Sequence, residues 1–495
     1  MELKLNVSPK YNKIERQRRP ALVIAQHSVE ICHNGTIYFT MQIYDFVNEG
    51  LGHSSYLIEI TDGTAALVDP PRFPISQESL AARRSLHIAW TFDSHSHADY
   101  VTGSPGLHAR VGSTFVAPAA SHLQTPHRAI GDGDSIDLGS GLTMTALSTP
   151  GHTADHCAYL LKQSGEPIAL FSGGSLMVGT IGRTDLCGEV FTEPLARSMF
   201  HSLRRFDDLP DNLRVYPTHG AGSFCSSPGS SERTTTLGLE RVTNPLFACT
   251  NEDQFVEQLL DGFGTFPNYF ARLPELNRLG PHQYNNLPQL ARLDADQVER
   301  HLQAGGVVVD TRSAVAFAQG HIPGSISITM RPVFGSWLGW LVKPDQPIVF
   351  ILDEHQDRDQ LVRQCLDIGY EQFVGELDVG MQSWTASSRP THTIEFINGS
   401  DLAGRQNNRE VGNIIDVRQV NEYKIGHVPN ALNVELGSIS QASLPQGPLT
   451  MMCGHGERAM TSASILARRG RTDLVVFDGG PETWSLATQI PLEVN

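Results

Sequence analysis

An α/β protein of about three domains is what this sequence predicts: a two-sheet sandwich followed by two smaller α/β modules. Three observations carry that expectation. In the first half, four strand-like apolar runs each lead into a loop with a candidate ligand: His95 and His97, His152, Gly173-Gly174-Ser175, and His219. The second half repeats itself at a period of about 100 residues. And 495 residues suffice for three domains at roughly 100–200 residues each.

Residues 1–40 are polar with little periodicity and read as an N-terminal extension. Ser55–Ile60 and Ala65–Val68 flank Thr61-Asp62-Gly63-Thr64, which predicts a hairpin. Residues 76–86 read as a short helix, 87–93 as a strand, 103–110 as a helix and Thr114–Val116 as a strand. Leu142–Leu147, Ala158–Leu161 and Ala169–Ser172 are further strands. Residues 193–208 are helix-like and lead to Val215-Tyr216-Pro217-Thr218-His219. Alternating strands and helices without a dinucleotide-type glycine fingerprint suggest two sheets with the site at the strand ends. The first folded domain is placed at 41–245. Residues 246–290, with Pro267, Pro274, Pro281 and Pro288, read as a linker with helical pieces.

The repeat spans 291–390 and 396–495. Val307-Val308-Val309-Asp310-Thr311-Arg312 matches Ile414-Ile415-Asp416-Val417-Arg418, and Gly320-His321-Ile322-Pro323 matches Gly426-His427-Val428-Pro429. The continuous apolar runs of both copies are those of buried parallel strands.

A net charge of −16, with one basic run at Arg16–Arg19, makes nucleic acid an unlikely partner. Seven scattered cysteines without a C-x-x-C pair argue against a disulfide framework and for a reducing cytoplasm. No apolar run approaches the ~18–20 residues of a membrane helix.

Two clusters carry chemistry. His95 and His97, two apart in a turn after a strand, can aim both imidazoles at one point, and imidazole is the commonest protein ligand for zinc and iron. Cys453-Gly454-His455-Gly456-Glu457-Arg458 lies between a buried strand and a helix. There the helix N-terminus, the loop amides and Arg458 would favour a thiolate and hold an anion.

The second half resembles the rhodanese sulfurtransferases through the Asp-x-Arg strand ends, the Gly-His-[Ile/Val]-Pro motifs and the six-residue loop from Cys453 to Arg458. The resemblance implies Cys453 as the nucleophile that carries a persulfide. The copy at 291–390 has Asp353 in the cysteine position and reads as inactive. The first half resembles the metallo-β-lactamase superfamily through His95-x-His97-x-Asp99, Gly151-His152-Thr153 and His219. Phe171-Ser172-Gly173-Gly174-Ser175 and Gly182-Arg183-Thr184-Asp185 are similar to its persulfide dioxygenase branch. The whole order resembles the bacterial persulfide dioxygenase–rhodanese fusions. That implies an αββα sandwich followed by two rhodanese-like domains. It also implies iron(II) as cofactor, glutathione persulfide or another low-molecular-weight persulfide as substrate, and sulfite and thiosulfate as further sulfur partners. Homo-oligomers are compatible with this.

The ligand set departs from the family. Its carboxylate is expected where this chain has Gly174, and Tyr100 replaces the histidine that ends the longer motif. Three arrangements stay open. His95, His97 and His152 form a three-histidine zinc site; His95 and His152 hold iron with Asp99 or water; or the domain binds metal poorly and serves as a scaffold. The zinc arrangement would suit a thioester hydrolase of glyoxalase II type. Asp69 is expected to support a ligand histidine. Arg183 is expected on a substrate carboxylate or paired with Asp185, and His219 near the substrate. His53 and His156 read as structural, and Cys157, Cys187 and Cys225 as unactivated.

Overall fold

The hairpin expected near residues 55–68 forms as antiparallel strands His53–Glu59 and Thr64–Val68. This is seen in the computed structural model, which describes residues 24–33, 36–225, 231–408 and 411–494. The chain divides into two units. The first runs to Tyr284 and includes Leu366–Gly369; the second holds the remainder.

The first unit has a seven-stranded sheet. It runs from Ile24–His33 through Thr36–Asn48, His53–Glu59, Thr64–Val68, His87–Phe92 and Thr114–Pro118 to Arg128–Ile130. Pairing is antiparallel as far as Thr64–Val68 and parallel after it. Parallel neighbours need crossovers, and helices Ile75–Arg83 and Ser104–Val111 supply two of them. A six-stranded sheet is built from Ser135–Gly139, Leu142–Ser148, Cys157–Gln163, Glu166–Gly173, Arg214–Pro217 and Thr235–Thr236.

The inner faces meet in one apolar layer that includes Ile43, Tyr56, Phe92, Met144, Tyr159 and Phe171. Burying a side chain such as Phe92 contributes about 1.5–3 kcal/mol. Helix Glu189–Arg204 covers the outer face of the second sheet with Ala196, Met199 and Leu203 against Leu160, Leu170 and Val215. Ala81 and Leu107 pack on the outer face of the first. The expected αββα sandwich is present.

Two boundaries differ from the expectation. Strands Ile24–His33 and Thr36–Asn48 pair within the stretch read as an extension, so the sheet begins before residue 41. The basic run Arg16–Arg19 lies outside the described residues. The stretch read as a linker also belongs largely to the first unit. Phe255 and Leu259 of helix Glu252–Asp261 enter the core around helix Glu189–Arg204. Its prolines suggested a connector, but the apolar face of that helix has a partner to bury against.

The second unit contains two five-stranded parallel sheets with the same order. The strands are Arg292–Leu293, Phe373–Leu377, Ile348–Ile351, Val307–Asp310 and Ile326–Ser327 in one. They are Glu395–Ile397, Leu474–Phe477, Leu449–Met452, Asn413–Asp416 and Leu432–Asn433 in the other. The repeated motifs have a structural cause. Arg312 and Arg418 each grip the aspartate two residues earlier and also donate to the carbonyl of Gly320 (2.9 Å) and Gly426 (2.7 Å). The following histidines stack on Phe317 and Tyr423, at 3.9 and 3.8 Å between ring centroids. Asp-x-Arg therefore locks the Gly-His turn to the strand end.

Candidate metal centre and sulfur-transfer loop

At the strand ends of the first unit, four buried imidazoles converge: His95, His97, His152 and His219. Their centroids lie 4.3 Å apart for His95–His97, 4.9 Å for His95–His152 and 5.2 Å for His152–His219. Three of the rings have one nitrogen hydrogen-bonded from outside, and the fourth, His219, has a carboxylate beside its Nδ1. Ser94 Oγ donates to Asp69 and so accepts from His95 Nδ1 at 2.8 Å. His97 Nε2 lies 3.2 Å from Asp69 Oδ1 and 3.0 Å from the Tyr100 hydroxyl. His152 Nδ1 donates to the Arg183 carbonyl at 2.8 Å. His219 Nδ1 lies 3.2 Å from Asp99 Oδ2.

This arrangement turns four lone pairs inward. His97 Nδ1 and His152 Nε2 are buried without a hydrogen-bond partner. The Nε2 atoms of His95 and His219 are 3.4 Å apart. Burial, together with the neighbouring imidazoles, pushes His95 and His152 well below the ordinary histidine range. Burial also opposes charge on His97, but Asp69 outweighs it and raises that ring. Orphan nitrogens fixed by outer acceptors are the donor set of a metal centre. This nitrogen-rich donor set fits a divalent cation.

It does not fit a facial triad. Gly174 has no side chain, and a Cβ there would overlap the His152 ring. Asp99 does not substitute for the missing carboxylate in a ligand role. It backs His219 instead, whose proximity holds the buried Asp99 carboxyl well below its usual range against the cost of burial.

Other expectations change as well. Arg183 is 2 % exposed. It grips Asp185 at 2.7 and 2.8 Å, donates to the Phe224 and Gly264 carbonyls, and lies over Phe263 and Phe266. Its donors are committed to structure, so it does not present itself to a substrate carboxylate. His219, expected beside the substrate, is a member of the imidazole cluster. Asp69 takes the supporting role foreseen for it, accepting also from Ser94 N and Thr218.

Sequence reasoning missed Asn277. It accepts from Thr102 N and donates to the carbonyls of His97 and Tyr100 at 2.9 and 3.0 Å, pinning the histidine loop from the supposed linker. His156 Nε2 accepts from Gly174 N at 2.9 Å. His53 stacks on Tyr100 at 4.1 Å.

In the second unit, Cys453 follows strand Leu449–Met452 and is 2 % exposed. Helix Glu457–Arg468 begins four residues on, after Gly456 at φ 81°, a value glycine tolerates best. The amides of Gly454, His455, Gly456, Glu457 and Arg458 donate to no protein acceptor among the described residues. Such a nest at a helix N-terminus suits an anionic sulfur. Arg458 is held bidentately by Glu422 at 2.6 and 2.7 Å. Burial opposes ionisation of Glu422, but the guanidinium outweighs it and keeps the carboxyl below its usual range.

The rhodanese-like domain model matches residues 294–387 and 399–487. A hydroxyacylglutathione hydrolase of Rhizobium johnstonii is 31% identical over 237 residues, covering 40% of this chain and 88% of that protein. A crystal structure of a metallo-β-lactamase from Staphylococcus aureus shares 29% identity and superposes with a TM-score of 0.61, covering 68% of this chain and 98% of that one. This chain belongs to the metallo-β-lactamase-fold proteins fused to tandem rhodanese-like domains. The structure of ETHE1 from Myxococcus xanthus is also similar, at 27% identity and a TM-score of 0.42 over 48% of this chain and 99% of that one.

Within this fusion, the first rhodanese-like copy is closed where the second is open. Gln356 fills its loop, accepting from Asp353 N at 2.9 Å and donating to the Thr311 carbonyl at 2.7 Å. Arg358 turns onto the carbonyls of Asp353, Glu354 and Gln356. The same copy borders the second loop. Arg331 pairs with Glu457 at 2.7 Å, and Trp337 lies beneath the Arg458 guanidinium, 6.0 Å from the ring centroid. A Cβ at Gly437 would overlap Trp340. The copy without cysteine thus forms a wall of the other's active loop.

Proposed function

We propose that this chain is a persulfide-processing enzyme. It transfers sulfane sulfur through Cys453 and carries a metal-dependent unit for low-molecular-weight thiol persulfides such as glutathione persulfide. The unpaired amides around Cys453 are the observation that carries the reading. The Cys453 thiolate attacks the terminal sulfur of a thiol persulfide. A bond forms from Sγ to that sulfur, the S–S bond to the carrier breaks, and the carrier leaves as a thiolate. The terminal sulfur stays on Cys453 as a persulfide, with its negative charge facing the loop amides and the helix N-terminus. Sulfite or a second thiol then takes that sulfur and returns Cys453 to a thiolate.

In the first unit, His95, His97, His152 and His219 would hold a divalent cation, which when bound supplies Lewis acidity to an oxygen or sulfur ligand. The oxidation to sulfite implied by the family resemblance calls for iron on two imidazoles and a carboxylate. With Gly174 in the carboxylate position, the residues present do not support that step. A thioester hydrolase is the second reading, favoured by the nitrogen-rich donor set and the 31% identity to a hydroxyacylglutathione hydrolase.

The test uses anaerobically purified full-length protein with glutathione persulfide. Metal content, oxygen uptake, thioester turnover and sulfur transfer to sulfite are measured together. Thiosulfate formation that Cys453→Ser abolishes is the expected result. Sulfur transfer that survives Cys453→Ser overturns the reading. Oxygen uptake that His95→Ala abolishes would establish the oxygenase step despite Gly174.

A further inference from the structure

Cys225 lies within the imidazole cluster. The ligand atoms of Cys225, His152 and His219 all fall within 4.8 Å of one another, and all three residues are buried. His219 belongs as well to a group with His95 and His97 that meets the same limit. No spacing motif marks Cys225 as a ligand, although it lies only six residues after His219. The chain returns to the site through backbone pairing. Arg183 N donates to the Cys225 carbonyl at 2.9 Å, and Gly182 N donates to that of Gly174 at 2.9 Å. The His152 ring rests against Gly174 and Gly182, and a Cβ at either would overlap it or press on it. With His152 Nδ1 bonded to the Arg183 carbonyl, its Nε2 lone pair is left without a partner in the buried cluster that includes Cys225.

We infer that Cys225 supplies the anionic ligand which Gly174 cannot. The centre then holds one Zn²⁺ through the Cys225 thiolate, His152 and His219, the three whose ligand atoms lie within 4.8 Å of one another. This rests on the reading of the imidazole cluster as a metal centre. The charge logic supports it. Among these three ligands only the thiolate brings negative charge directly to a divalent cation, and it removes half of that charge. The ligand chemistry also selects the metal: thiolate with imidazole suits tetrahedral zinc, whereas a carboxylate favours harder cations. All three ligands are at most 2 % exposed.

Zinc-edge X-ray absorption on the full-length protein tests this. The expected shell is one sulfur at ~2.3 Å and nitrogens at ~2.0–2.1 Å. Cys225→Ser should lose the sulfur scatterer, and Cys453→Ser should keep it. Cobalt substitution gives a second readout, a near-ultraviolet thiolate-to-cobalt band lost in Cys225→Ser alone. If Cys225→Ser does not fold, the wild-type shell still decides. Bound zinc with a nitrogen-only shell overturns the Cys225 assignment and leaves the imidazole centre standing. Wild-type protein that retains no zinc after dialysis overturns both.

Discussion

Gly174 and His152 show how one residue changes what a site can hold. The ring of His152 occupies the space that a side chain at 174 would need. Restoring the family's carboxylate should therefore fail. Gly174→Asp is expected to destabilise the first unit by about 1–3 kcal/mol through overpacking, and not to raise iron content. Thermal denaturation and metal analysis of the purified variant check both. Asn277 makes the opposite point, since a residue with no place in any motif holds the histidine loop through three hydrogen bonds. Asn277→Ala leaves the buried His97 and Tyr100 carbonyls without those donors. The expected cost is about 1–3 kcal/mol, read from denaturant unfolding, together with a lower zinc stoichiometry.

At the scale of elements, the two six-residue loops differ by more than a cysteine. In the copy without it, the Gln356 side chain occupies the first amide and Arg358 faces carbonyls. Asp353→Cys in a Cys453→Ser background should therefore remain inactive in thiosulfate turnover. Asp353→Cys with Gln356→Gly frees that amide and should recover measurable transfer. Equal activity in the single and double variants would show that Gln356 does not close the loop.

For the molecule as a whole, each unit carries its own candidate centre. In the second, the copy without a cysteine at this position borders the loop of the other. Arg331 holds Glu457 at the start of the helix behind Cys453. That pair is partly exposed, so its effect on stability is small, about 0–1 kcal/mol. Arg331→Ala should leave the melting temperature nearly unchanged but lower kcat/KM for persulfide, because the helix start that positions the amides loses its anchor. Steady-state kinetics beside calorimetry separates the two effects.

Local order and repetition made much of this legible from the residues alone. Apolar periodicity marked the strands. The internal repeat marked the two modules, and the positions of His95, His97, His152 and Cys453 at strand ends marked both centres. These are properties of short stretches, fixed by side-chain spacing and by strands that must end where loops begin. Only the tertiary structure placed Asn277 and Cys225 at the metal centre, withdrew Arg183 from the substrate and turned Asp99 into a support for His219. Those roles depend on which distant backbone returns to the site, and in a close-packed interior that is decided by three-dimensional packing and not by neighbours along the chain.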